Sequence, residues 1–142
     1  MNMRNLFSIV FSLVFSGRLL GADFQKSDLV GEWNGKAPDG SKVSYSFQKD
    51  GSVSNFVNSM NFKQMFPTGL QAKYTLREKS PFWEIDIYDF EDIRFKGITM
   101  QGIFLPLEKG KFKMEGMPSN SGARPSNFNE EAIVFTKVEP KP

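Results

Sequence analysis

Leu29-Val30-Gly31-Glu32-Trp33 sets a large aromatic at the start of an extended run, directly after a glycine that lets other backbone come close. A buried Trp can seal one end of a small barrel, with its indole N–H bonded to backbone and its ring face covered by a cation. The run around it reads as a first strand from Val30 to Ala37. It is closed by the turn Pro38-Asp39-Gly40-Ser41, in which Pro fixes φ and Gly accepts positive φ. The next segment carries the clearest alternation in the chain. Val43, Tyr45 and Phe47 point one way, and Lys42, Ser44, Ser46 and Gln48 the other. Asp50-Gly51, within Lys49-Asp50-Gly51-Ser52, is a strong hairpin signal, and a third strand follows from Ser52 to Val57.

Phe56 to Leu70 breaks the pattern. Phe62, Met65 and Phe66 have the i, i+3, i+4 spacing of one helical turn, ended by Pro67-Thr68-Gly69. The segment reads either as an apolar lid over a cavity mouth or as a loop folded onto the core as a plug. Alternation resumes from Gln71 to Glu78, with Tyr74 and Leu76 inward. It continues from Phe82 to Tyr88, with Trp83, Ile85 and Ile87 inward and Glu84, Asp86 and Tyr88 outward. A sixth strand, Gly97 to Leu105, holds Ile98, Met100, Ile103 and Phe104. Its glycines, Gly97 and Gly102, suit the bend or bulge that lets a sheet curl. The turn Glu108-Lys109-Gly110-Lys111 leads into a seventh strand, Lys111 to Gly116, with Phe112 and Met114 inward. A loop rich in Pro, Ser, Asn and Gly, Met117 to Glu131, precedes the eighth, Ala132 to Val138. Short strands joined by hairpin turns predict an antiparallel meander, and closing it removes its exposed edges. The expected fold is all-β: an eight-stranded antiparallel up-and-down barrel with a short helical or irregular segment between strands 3 and 4.

The first 22 residues read as a signal peptide. Arg4 supplies the positive region, Leu6 to Phe15 the apolar run, and Leu20-Gly21-Ala22 the small residues before a cut ahead of Asp23. The run is about half of the roughly 20 residues a spanning helix needs, so no membrane span is expected in the mature form. The expected organisation is a signal peptide, 1–22, and one barrel domain, 23–142. Without the two leader arginines the domain holds 16 basic and 16 acidic residues, so its formal charge is zero and no long basic run remains. Nucleic acid is therefore not an expected partner. There is no Cys, hence neither a disulfide framework nor a lipid-attachment cysteine, and an exported domain of this kind depends on its core. The domain keeps 12 Phe, 2 Trp and 3 Tyr, ample for that core. There is no His, which excludes a Ser-His nucleophile and the commonest metal ligand.

Gly31-Glu32-Trp33 resembles the Gly-x-Trp signature in the first strand of lipocalins and their calycin relatives. In that superfamily a basic side chain from near the chain end packs across the Trp. The resemblance implies that role for Lys137 or Arg124, and a structural role for Gly31 and Trp33. The chain is more closely similar to small lipocalin-like domains exported by bacteria, most of them uncharacterised. The pieces that carry the likeness are Leu29 to Trp33, Gly102-Ile103-Phe104, Arg124-Pro125-Ser126-Asn127-Phe128, and Ile133-Val134-Phe135-Thr136-Lys137. The resemblance implies a lipocalin-like barrel and an export route to the periplasm or extracellular space. It implies no reaction and marks no ligand residue.

The residues themselves offer few centres of chemistry. Glu84 and Asp86 share one strand face at about 6.5–7 Å, close to the separation of inverting glycosidase carboxylates. The simpler reading is two solvated charges answered by lysines on a neighbouring strand. Asp86, Asp89, Glu91 and Asp92 cluster at a strand end, but the spacing is not that of an EF-hand and Phe90 interrupts it. Arg124 is expected to bond loop carbonyls or cover Trp33, with Phe128 anchoring the loop. Tyr45, Phe47, Tyr74 and Trp83 fall at inward positions and could line a ligand cavity or fill it. With Phe62 and Met65 from the irregular segment they form the expected ligand-contacting set. The leading expectation is a non-enzymatic domain that binds a small apolar ligand, without catalytic residues, metal or cofactor. The alternative is a packed barrel that meets an envelope protein through its loops.

Overall fold

The computed structural model describes residues 24–108 and 110–140. The expected signal peptide, 1–22, lies outside the described residues, as do Lys109 and the last two residues of the tail. Eight strands form: β1 (Gly31–Lys36), β2 (Lys42–Phe47), β3 (Ser52–Val57), β4 (Leu70–Arg77), β5 (Trp83–Tyr88), β6 (Met100–Pro106), β7 (Lys111–Pro118) and β8 (Ile133–Lys137). Each pairs antiparallel with the next, and β8 returns to β1, so the barrel is closed and up-and-down. A short helix, α1 (Met60–Met65), sits between β3 and β4, with the Ser59 side chain accepting from Phe62 N–H at 3.2 Å.

The strands fall within two residues of the sequence expectation, except at the start of β6. Extended pairing begins there at Met100, not Gly97. Asp92 caps a 3-10 turn, Ile93–Phe95, and Gly97 follows that turn at φ +78°. Gly97 and Ile98 therefore belong to the connection, and Gly102 is the glycine within the strand.

The alternation decides which side chains fill the barrel. Trp33, Val43, Phe47, Val53, Ala72, Leu76, Trp83, Ile85, Ile87, Phe104, Phe112, Met114 and Phe135 form one buried cluster. The cluster is densest at one end. There Phe104 stacks on Phe112 at 4.4 Å, Phe112 on Phe135 at 5.2 Å, and the Trp33 ring meets Phe112 at 4.6 Å. Phe47 meets Tyr74 edge-on at 4.9 Å, and Phe24 comes in across Trp83 and Phe104 at 5.5 Å from each. These separations are those of favourable aromatic pairs.

This end is closed from below by the chain's own lead-in. A 3-10 turn, Lys26–Leu29, drops Leu29 into the core with no exposed surface. The Trp33 indole N–H donates to the Leu29 carbonyl at 2.8 Å. Lys137, at the end of β8, lays its ammonium 5.4 Å from the Trp33 ring centroid and donates to the Asp28 carbonyl at 2.9 Å. Gly31 makes that crossing possible. It sits at φ +131°, and a Cβ there would lie 3.0 Å from Lys137 Cε. The spacing Leu29, Gly31, Trp33 is thus one device: a plug, a gap for the cation and a ring for it to cover.

Trp33→Ala is expected to destabilise the protein by about 3–5 kcal/mol, the usual loss for a buried aromatic. Denaturant unfolding monitored by circular dichroism measures it, and an unchanged midpoint would show that Trp33 does not close the barrel.

Candidate functional site

The opposite end of the barrel is not filled. A cavity of about 220 Å³ lies among Val43, Tyr45, Ile87, Met100, Met114 and Ile133, with Glu131 and Glu115 also along it. A second, of about 200 Å³ and more apolar, lies among Leu70, Phe90, Phe95 and Ile98, with Asn55 and Asn120 as its amides. Tyr45, Ile87 and Met100 line both, so the two adjoin. Both are partly open to solvent. Two inward positions along the first cavity bear no side chain: Gly102, opposite Ile85 on β5, and Gly116, opposite it on β7. A Cβ on Gly116 would lie 2.9 Å from Met100 Sδ, so Met100 occupies the room that this glycine leaves.

Tyr45 is the floor of this space. Its ring stacks on Phe47 at 5.5 Å and meets Phe135 edge-on at 5.3 Å, so the packed end begins beneath it. Burial pushes the phenol pKa up to about 12, which keeps it a neutral donor throughout the physiological range. The other expected contact residues lie elsewhere. Phe47 is fully buried in the packed end, and Trp83 is beside it under Phe24. Tyr74 reaches the same end, where its hydroxyl donates to the Gln48 carbonyl at 2.9 Å. Phe62 packs against Phe56 and Phe66 on the outside of β3, and Met65 is 51% exposed, so α1 lines neither cavity. The residues that do line the space with Tyr45, chiefly Ile87, Met100 and Ile133, are ordinary strand aliphatics. The inward direction of Ile87 was legible, and the position of these residues along the barrel was not.

The rim is held by the long loop between β7 and β8, and the anchor is Arg124. Its guanidinium crosses the outer face of β5 and β6, donating to the Gly102 carbonyl at 2.8 Å and the Ile85 carbonyl at 3.3 Å. It pairs with Glu84 at 3.1 Å and Asp86 at 2.7 Å. The expectation that Arg124 bonds loop carbonyls or covers Trp33 is corrected: the carbonyls belong to strands, and the cation over Trp33 is Lys137. Phe128 anchors the same loop, meeting Phe82 at 4.8 Å under the Lys113 ammonium, also at 4.8 Å. Asn129 N–H donates to the buried Glu115 carboxylate at 2.8 Å. The ends of this loop, Asn120 and Glu131, stand at the cavities.

The paired carboxylates are engaged on the outer face. Arg77, on β4, bonds Asp86 at 2.9 Å and Glu84 at 3.3 Å, and Lys79 reaches Glu84 at 3.0 Å. The cation on the neighbouring strand is thus Arg77, whose Nη2 meets both carboxylates, and the lysine comes from the turn that follows that strand. Lys79, with Arg124 and Arg77, holds the Glu84 carboxyl below its ordinary value, opposite to the raised pKa that a general acid needs. Asp89 pairs with Lys73 at 3.1 Å and Asp92 with Arg94. Among the described residues no three acidic side chains converge on a metal-sized site.

These features define a closed antiparallel barrel, sealed at one end and hollow at the other. Compared with protein-family models, with curated proteins and with solved structures, the chain matches none.

Arg124→Ala is expected to cost about 1–3 kcal/mol at neutral pH, because it strips two carboxylates and two carbonyls of a shared donor. The acid limb changes too. A lowered folded pKa gives Glu84 a contribution that is full above its ordinary 4.5 and is lost as pH falls through the folded value. Removing Arg124 makes that loss smaller, so melts from neutral pH into the range below 4.5 should converge with those of the wild type. Parallel curves would show that Arg124 does not act on the pair.

Proposed function

We propose that this protein is an exported, non-enzymatic carrier that holds one small, mainly apolar molecule at the open end of its barrel. The observation that carries the reading is the pair of adjoining cavities floored by Tyr45. Specific pockets for small molecules occupy roughly 300–1,000 Å³ and are mostly apolar with a few placed polar groups. Each cavity alone falls short of that range, and a ligand spanning both across Tyr45, Ile87 and Met100 comes within it. Export is supported by the leader-like composition of residues 1–22, with the periplasm or the extracellular space as destination. The Gly-x-Trp motif with its covering Lys137 supports a lipocalin-like relationship, and the resemblance of Leu29 to Trp33, Gly102 to Phe104, Arg124 to Phe128 and Ile133 to Lys137 to small exported bacterial domains supports a bacterial source. The contact role falls to Tyr45 with the aliphatics around it. No cofactor enters the reading, and the engagement of Glu84 and Asp86 with cations favours a binding role over catalysis.

A second reading, an interaction module of the cell envelope, rests on a different observation. Met60 is 75% exposed, Met65 51% and Ile93 82%, and α1 is tied to the Ile93–Phe95 turn by an Arg94 bond to the Met65 carbonyl at 3.0 Å.

Native mass spectrometry of the protein, isolated gently from its own cells, separates the two. The carrier reading expects a discrete extra mass that is lost on denaturation. It also expects that mass to vanish in Ile87→Phe, whose larger ring intrudes on the wall both cavities share. A bare polypeptide mass, with an envelope protein retained instead, would favour the interaction reading.

A further inference from the structure

Tyr45 presents an unanswered donor to the hollow end. Trp33 and Tyr74 give their polar hydrogens to the Leu29 and Gln48 carbonyls. Tyr45 Oη has no hydrogen-bond partner among the described residues, and burial is the cause acting on its titration. No fully enclosed side-chain nitrogen or oxygen among those residues lacks a partner. The Tyr45 hydroxyl therefore reaches accessible space, and the space its side chain lines is the two cavities. A phenol that a ligand would cover needs an acceptor. An entirely apolar occupant would strip water from this one without replacing the bond.

The charge of the wall narrows the choice further. Its ionisable acids are Glu115 and Glu131, and neither cavity is lined by Lys or Arg. Glu115 already accepts from Asn129 N–H, and Glu131 is exposed at the rim. A carboxylate entering here would lose its hydration, meet like charge and find no basic partner, all of which oppose binding.

Resting on the carrier reading above, we propose that the occupant is an uncharged apolar molecule bearing an oxygen acceptor, oriented by a hydrogen bond from Tyr45 Oη, and that carboxylates such as fatty acids are refused. Displacement of an environment-sensitive apolar dye tests this with three probes of equal chain length: a medium-chain methyl ketone, the alkane and the carboxylate. The ketone should bind about five- to tenfold tighter than the alkane, the worth of one net hydrogen bond. The carboxylate should bind more weakly than the ketone by at least about tenfold. Tyr45→Phe, a near-isosteric change checked by its melting midpoint, should bring the ketone to the level of the alkane and leave the alkane unchanged. Glu131→Gln should raise the affinity of the carboxylate alone. A carboxylate as tight as the ketone, or a ketone preference that survives in Tyr45→Phe, overturns the proposal while the carrier reading stands. Failure of all three probes to displace the dye overturns both.

Discussion

The closure of one barrel end by Trp33 and Lys137 is the constraint on which the rest depends. The first strand and the last meet there. The register of β1 against β8 places Trp33 opposite Lys137, and the backbone seals the join from Val138 N–H to the Glu32 carbonyl at 2.8 Å. Because Lys137 also reaches back to the Asp28 carbonyl, one side chain ties the last strand to the lead-in before the first. A chain without disulfides needs some long-range tie of this kind. The Lys137 ammonium lies over the indole ring and is satisfied by the Asp28 carbonyl.

Sealing one end sets the character of the other. Below Tyr45 the interior is aromatic: Phe47, Phe104, Phe112 and Phe135 are almost wholly buried. Above it come Val43, Ile87, Met100 and Ile133, the bare positions Gly102 and Gly116, and Phe90 and Phe95 at the second cavity. The outer face compensates. The β7–β8 loop is strapped across β5, β6 and β7 through Arg124, Phe128 and Asn129, so the walls of the hollow half are braced from outside.

Much of this was legible in the sequence. Val43-Ser44-Tyr45-Ser46-Phe47 and Asp50-Gly51 fix strands, faces and a hairpin by local rules, and the count of eight such runs points to closure. The Trp33 closure was legible through the Gly-x-Trp resemblance, which left Lys137 and Arg124 as candidates for the covering cation. What local rules do not contain is height along the barrel. Tyr45 and Phe47 are two residues apart on one face, yet one floors a cavity and the other lies in the packed end. That difference follows from the register of the closed sheet. The start of β6 was misplaced for a related reason: Gly97 reads as a strand glycine, although the Asp92 cap and the 3-10 turn at Ile93–Phe95 have already diverted the chain. Arg124 was misplaced because its acceptors come from β5 and β6, more than twenty residues away in sequence.

The central claim is that the interior is asymmetric, dry and packed around Trp33 and hollow above Tyr45. Xenon occupies apolar cavities and avoids close-packed cores, so diffraction from crystals pressurised with xenon tests the claim directly. The account predicts xenon density between Tyr45, Ile87 and Met100, with none beside Leu29, Trp33 or Phe104. An interior without xenon, or density lodged against Trp33, would contradict it.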